Sequence, residues 1–283
     1  MTILARDPSS EEVKSTVMPS NIDSNEEILV DEELSLFQEP EDFRPKTPPP
    51  TFTTFDRTPE DVQGGTPSQF QLRLISPHSL WGHMLWNAGI VLTRHLDHNK
   101  QLCHGKTVLE LGAAAALPSF VSAINGCKLA VITDYPEKNL IENMDYNVRV
   151  NLPELLDSGV IKIMGHLWGD DVSPILNELV PFNTSKFDVV ILADVIFNHS
   201  QHIALLKSVK ATLAEGTGIV YVPFSHHRPD LAHKDMAFFE LAQADPFNFK
   251  VEKMFEERLK PMFEVDRGPA EIRATVHVYA LRI

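Results

Sequence analysis

No run of 18 apolar residues occurs in this 283-residue chain, so no membrane-spanning helix is expected. Cysteine is nearly absent. Cys103 and Cys127 are the whole supply, too few for a disulfide framework. Both are expected as inert buried thiols, in keeping with a reducing cytoplasm. Basic charge is also short: 25 Lys and Arg face 39 Asp and Glu, a net charge of −14. No basic stripe offers itself to a phosphate backbone, which argues against nucleic acid as a partner. The opening MTILARDPSSEEVK is acidic and has no apolar core of leader length. That speaks against a secretory or mitochondrial leader.

The acidity is unevenly placed. Residues 1–66 hold fifteen acids against five Lys and Arg, a net of −10. They read as an acidic, largely disordered N-terminal arm. Within it, Leu34–Phe37 could form a short helical or docking segment. Pro45 and Pro48–Pro50 favour extended polyproline II, as a linker or as a strap pinned by Phe52 and Phe55. Residues 67–283 read as one folded domain. With 43% hydrophobic residues overall, the chain can bury a sizeable core.

Periodicity organises that domain. Phe70, Leu72 and Leu74 alternate as in a strand. Met84, Leu85, Ala88, Val91, Leu92 and Leu96 recur at helical spacing. Six apolar strands follow, at Thr107–Leu111, Leu129–Asp134, Val160–Trp168, Phe187–Asp194, Gly218–Phe224 and Phe249–Phe255. Helices are predicted near 117–125, 137–151, 200–214 and 231–244. A last β-forming run spans Ile272–Leu281. This rhythm predicts a mainly parallel sheet covered on both faces. Only a link bearing Pro261, Gly268 and Pro269 joins the last two strands, so an antiparallel edge hairpin is expected.

The segment TVLELGAAAALPSF, Thr107–Phe120, carries the strongest chemical signal. A strand, a small-residue loop and a helix entry form a nucleotide-binding corner. The usual phosphate devices are missing: there is no Gly-Lys-Ser/Thr, and only Gly112 of three fingerprint glycines. Glu110 would repel phosphates. The same acid suits a ligand that bears an ammonium group, and Asp134, ending the next strand, is placed to grip a ribose. S-adenosylmethionine has an ammonium, a sulfonium and a ribose, and no phosphate. A structural turn packed with alanines would look similar.

Five segments then occur in order: WNAG at Trp86–Gly89, ELGAAAALPS at Glu110–Ser119, ITDYP at Ile132–Pro136, LWG at Leu167–Gly169 and DVVILADVIFNHS at Asp188–Ser200. Here the chain resembles the seven-strand methyltransferases of the lysine-methyltransferase 16 family. LFQEPEDFRP, LWGHMLWNAG and ELGAAAALPS are similar to its fungal branch, which acts on translation elongation factor 1-alpha. The resemblance covers roughly residues 34–283. It implies a Rossmann-like α/β domain with a seven-stranded sheet, S-adenosylmethionine as cofactor and that elongation factor as protein partner; the chain is expected to be a monomer.

The resemblance also implies roles. Trp86, or Trp81 beside it, would flank the cofactor's methionine end. Gly112, Ala113 and Ala114 would pass under the cofactor, and Asp134 would bind its ribose. Trp168 would lie by the adenine, where Ala193 leaves space. Asp194 would orient the acceptor amine and Phe197 would wall the methyl path, with Asn198 and His199 as nearby polar groups. Asp194 could equally be a helix cap, His199 a loop histidine and either tryptophan a core aromatic. His226, His227 and His233 lack the spacing of a closed metal site, and no metal is expected. One departure stands out: Ala116 occupies a place where the family has glycine, a strained choice if φ is positive there. Two other readings remain open, a nicotinamide-type small-amine methyltransferase and a catalytically weak scaffold docking through its arm.

Overall fold

The computed structural model describes residues 48–76, 81–263 and 267–283. The expectations for residues 1–33, for Leu34–Phe37 and for Pro45 lie outside them. The fold begins earlier than a boundary at 66. Strand β1 (Thr51–Asp56) pairs antiparallel with β2 (Gln69–Leu74), Thr51 opposite Leu74 and Asp56 opposite Gln69. The prolines just upstream obscured a β-forming TFTTFD. Phe55 is buried beneath the ribbon, whereas Phe52, the other expected pin, is 66% exposed.

Two polar devices attach this ribbon. Arg57 is buried, and its guanidinium meets Asp97 through two 2.8 Å bonds. It also donates to Thr66 Oγ1, to the Pro67 carbonyl and to the Asp61 carbonyl. On the open edge of β2, Asn147 and Asn151 act as surrogate strand residues. Asn147 accepts from the Arg73 amide at 2.7 Å and donates to its carbonyl at 3.0 Å. Asn151 does the same for Gln71, at 2.8 and 2.7 Å. Asn143 instead accepts from Arg73 Nε and donates to the Arg73 carbonyl.

The main sheet has seven strands: β3 (Thr107–Leu111), β4 (Leu129–Asp134), β5 (Ile161–Gly165), β6 (Val189–Ile191), β7 (Ile219–Ser225), β8 (Lys250–Arg258) and β9 (Thr275–Arg282). Their order is β5-β4-β3-β6-β7-β9-β8. The first five are parallel, and β9 runs antiparallel between β7 and β8. The expected C-terminal hairpin is therefore present, with β8 at the edge. Its predicted strand over Ile272–Leu281 starts late, because α8 (Ala270–Ala274) takes the first residues.

The other helices are α1 (Asn87–His98), α2 (Leu117–Ile124), α3 (Lys138–Asn151), α4 (Pro153–Asp157), α5 (Ser173–Asn177), α6 (His202–Thr212) and α7 (Ala232–Gln243). Side chains alternate across each strand. Val108, Ile132, Val189 and Tyr221 pack with Leu92, Phe120 and Met144 from α1, α2 and α3. Leu109, Val131, Val190 and Val222 face the opposite way, onto Ile175, Leu206 and Phe238 from α5, α6 and α7. Two helical layers thus enclose the sheet. Cys103 and Cys127 are free and buried, and burial pushes the Cys127 thiol up to about 12. Among the described residues, no helix is long and apolar enough to cross a membrane.

Candidate active site

Strand order reverses between β3 and β6, and open α/β sheets bind ligands at that crevice. The loop leaving β3 is shaped by three left-handed residues, Gly112 (φ 77°), Ala114 (φ 47°) and Ala116 (φ 62°). Gly112 is required by space as well. A Cβ there would meet Val195 Cγ1 at 2.8 Å and Trp168 Cζ2 at 3.1 Å. The Gly112 and Ala113 amides both donate to the Thr133 carbonyl, at 2.9 and 3.0 Å. Ala116 carries the positive φ that its glycine-like position raised as a concern, and it is fully buried.

Two acids flank the loop. Asp134 ends β4 and accepts from the Ala114 amide at 2.8 Å and the Tyr135 amide at 2.7 Å. Glu110 lies on the α2 face of β3 and is 1% exposed. Its Oε2 accepts from the Ser119 amide and hydroxyl at the start of α2. Its Oε1 is buried without a partner among the described residues. Burial pushes the carboxyl up to about 8, against the pull of the Ser119 bonds, and Asp134 adds to the rise.

Ten residues given cofactor or acceptor roles from the sequence line one cavity of about 290 Å³: Trp81, Trp86, Gly112, Ala113, Ala114, Asp134, Trp168, Ala193, Asp194 and Phe197. Glu110 joins them, and no Lys or Arg does among the described residues. His166 and Tyr135 also line it, and neither was anticipated. His166 Nε2 bonds to Ser208 Oγ at 2.9 Å, and burial lowers its pKa.

The far wall is strained. Asp194 sits at φ 55° and its amide donates to the Pro223 carbonyl at 2.9 Å. Positive φ at a non-glycine residue marks stored strain. The conformation carries Leu192–Asp194 out of the predicted strand, so β6 is only three residues long. Asp194 is not a helix cap. Its carboxylate, 3% exposed, accepts from His227 Nε2, which stands 3.0 Å from both oxygens. His199 bonds Asp235 at 2.6 Å, which also holds His226 at 2.7 Å.

A second cavity of about 400 Å³ opens beyond Asp194. It shares Trp81, Trp86, Asp194 and Phe197 with the first and adds Ser225, His227 and Phe263. Trp86 Nε1 donates to the Trp81 carbonyl at 3.0 Å, and the two rings meet edge to face at 6.2 Å. His227 packs on Trp86 with centroids 4.9 Å apart. Sequence spacing could not reveal this chamber, because its walls come from segments up to 182 residues apart (Trp81 to Phe263). The sequence reaches Trp81, Trp86, Asp194, Phe197 and His199 on its walls, but presents His227 only as a metal candidate.

The sheet order and the acid-bearing crevice, which no Lys or Arg lines among the described residues, suit a methyltransferase that takes S-adenosylmethionine as methyl donor. The chain belongs to the lysine methyltransferase family, whose sequence model matches residues 77–245. It is 44% identical to the "Protein N-terminal and lysine N-methyltransferase efm7" of Schizosaccharomyces pombe, over 89% of this chain and 96% of that one. The Candida glabrata protein of the same name is 42% identical, over 87% and 94% of the two chains. That of Candida albicans is 39% identical, over 91% and 98%.

Proposed function

We propose that this chain methylates the N-terminal α-amine and a nearby lysine of translation elongation factor 1-alpha. The names of its relatives specify N-terminal and lysine amines, and the motif resemblance supplies the elongation factor. The observation that carries the reading is the meeting of two chambers at Asp194, between Trp81, Trp86 and Phe197. One chamber suits the donor, and the other opens beyond it for a chain end.

The residues of the first chamber fit S-adenosylmethionine. Glu110 Oε1, which has no partner among the described residues, offers an acceptor for a cationic group, and the small-residue loop lets backbone come close. Asp134 would receive the ribose hydroxyls, and Trp168 with Ala193 would border the adenine. Gly112, Ala113 and Ala114 would underlie the ligand, with Trp86 and Trp81 at its amino-acid end. When bound, the cofactor supplies an electrophilic methyl on a sulfonium.

The acceptor must present a neutral nitrogen. An α-amine, with pKa near 7.7–8.0, is about one-third neutral at pH 7.5; a lysine near 10.4 is only about 0.1% neutral. Lysine thus depends far more on a site that strips water from it. Asp194 accepts the amine's N–H bonds and orients its lone pair. His227 shares the Asp194 charge, which limits how far that carboxylate favours the ammonium. Trp86 and Phe197 exclude water from the transfer line.

The test uses the full chain, labelled S-adenosylmethionine, and either elongation factor 1-alpha or nicotinamide. Label at the factor's N-terminus and lysine is expected. Asp194→Ala should bind the cofactor normally and lose at least about a hundredfold in turnover. Label confined to nicotinamide, or full turnover by Asp194→Ala, refutes the reading.

A further inference from the structure

The second chamber holds a polar group that no described residue uses. Ser225, the last residue of β7, is 3% exposed and lines that chamber. Its Oγ is buried with no hydrogen-bond partner among the described residues. The charged side chains and histidines of its walls are engaged. Asp194 holds His227, Asp235 holds His199 and His226, and Arg228 holds Asp230. A buried hydroxyl without a partner is costly, so one carried by a residue that lines a cavity points to a ligand group.

Geometry says which group. Tyr221 faces the α1 layer, and by strand alternation Pro223 and Ser225 face the same way, toward the segment that carries Trp86. Asp194 is tied by its amide to the Pro223 carbonyl. Ser225 lies two residues further along the strand, about 6.7 Å. An acceptor whose amine sits at Asp194 therefore shares its chamber with Ser225.

We propose that Ser225 is a specificity-determining residue that favours the N-terminal α-amine over lysine. Its hydroxyl bonds the first peptide group of the acceptor, which lies within one residue of the α-amine. A lysine brings four methylenes to that place and no polar group. The inference rests on the function proposed above, and it assigns the two amines of that substrate different contacts in one chamber.

The experiment uses the full chain with elongation factor 1-alpha in two forms, one with a free N-terminus and one N-acetylated. Methylation at the α-amine and at lysine is read separately by mass spectrometry. For Ser225→Ala, KM for the free N-terminus should rise about threefold to tenfold, the loss of one hydrogen bond. Its kcat, its cofactor Kd and its lysine methylation of the acetylated form should stay within about twofold of wild type. Ser225→Thr, which keeps the hydroxyl, should restore KM. Equal loss at both amines, no loss at either, or a wild-type chain that leaves the α-amine unmodified overturns the inference. A wild-type chain that labels neither amine overturns the substrate reading as well.

Discussion

Glu110→Gln should make the ligand-free protein more stable at alkaline pH. The carboxyl is 1% exposed, with one oxygen bonded to Ser119 and the other without a partner among the described residues. Burial raises it from an ordinary 4.5 to about 8. The folded state then binds a proton that the unfolded chain has lost. Stability contributed by the neutral acid is full below about pH 4.5 and is lost as pH rises through about 8, at about 1.4 kcal/mol per unit. Four histidines act the other way. Burial lowers His95, His166, His202 and His277, so their effect is a gain with rising pH that runs on to about pH 7.5 and is common to both proteins. The difference between the two proteins cancels it, and from about pH 6.5 to 8 the proton held at Glu110 costs wild type about 1.5 kcal/mol. Glutamine keeps the shape and the acceptor for Ser119 but cannot ionise. Urea unfolding of both proteins at the two ends of that window is the assay. The stability gap in favour of Glu110→Gln should widen by about 1.5 kcal/mol toward pH 8. A gap that stays constant refutes the account of Glu110.

Three further outcomes are expected. A cation at Glu110 favours its ionised form, so S-adenosylmethionine should bind up to about tenfold more tightly at pH 8 than at pH 6.5 and release a proton; titration calorimetry in two buffers checks this, and Glu110→Gln should abolish the dependence. Arg57→Ala leaves Asp97 buried without its bidentate partner and should cost about 3–5 kcal/mol in urea unfolding. Ala116→Gly relieves a left-handed alanine at the expense of unfolded-state entropy and one buried methyl, and should add about 0.5–1 kcal/mol, read as about 1–4 °C in Tm.

The sheet was legible because strands buried on both faces are continuous apolar runs, as in Leu129–Asp134. The crevice was legible because Gly112, Asp134, Trp168 and Asp194 all follow such runs, and parallel strands bring their C-terminal ends to one side. The ribbon was not, because a triple proline beside TFTTFD mimics a linker. Its anchor, Arg57 against Asp97, joins residues 40 apart. The partnership of Asp194 with His227, 33 residues on, was hidden for the same reason: sequence shows periodicity, not which loops meet above a sheet. Gly112 and Ala116 share a left-handed backbone, yet only the first announces it by residue type.

The asparagines of α3 expose a mismatch of scale between helix and strand. Four helical residues advance about 6.0 Å, and two residues of an antiparallel strand about 6.8 Å. A helix posing as a neighbouring strand therefore falls behind by about 0.8 Å at each rung. Asn151 and Asn147 stay in step with Gln71 and Arg73. Asn143 is due at Ile75, but the accumulated error of about 1.6 Å exceeds what a hydrogen bond tolerates, and it turns back to Arg73. The helix can complete a sheet edge for two rungs and no more. That suffices to occupy the backbone groups of β2 that another chain would otherwise pair with, and β2 ends at Leu74, where the match runs out.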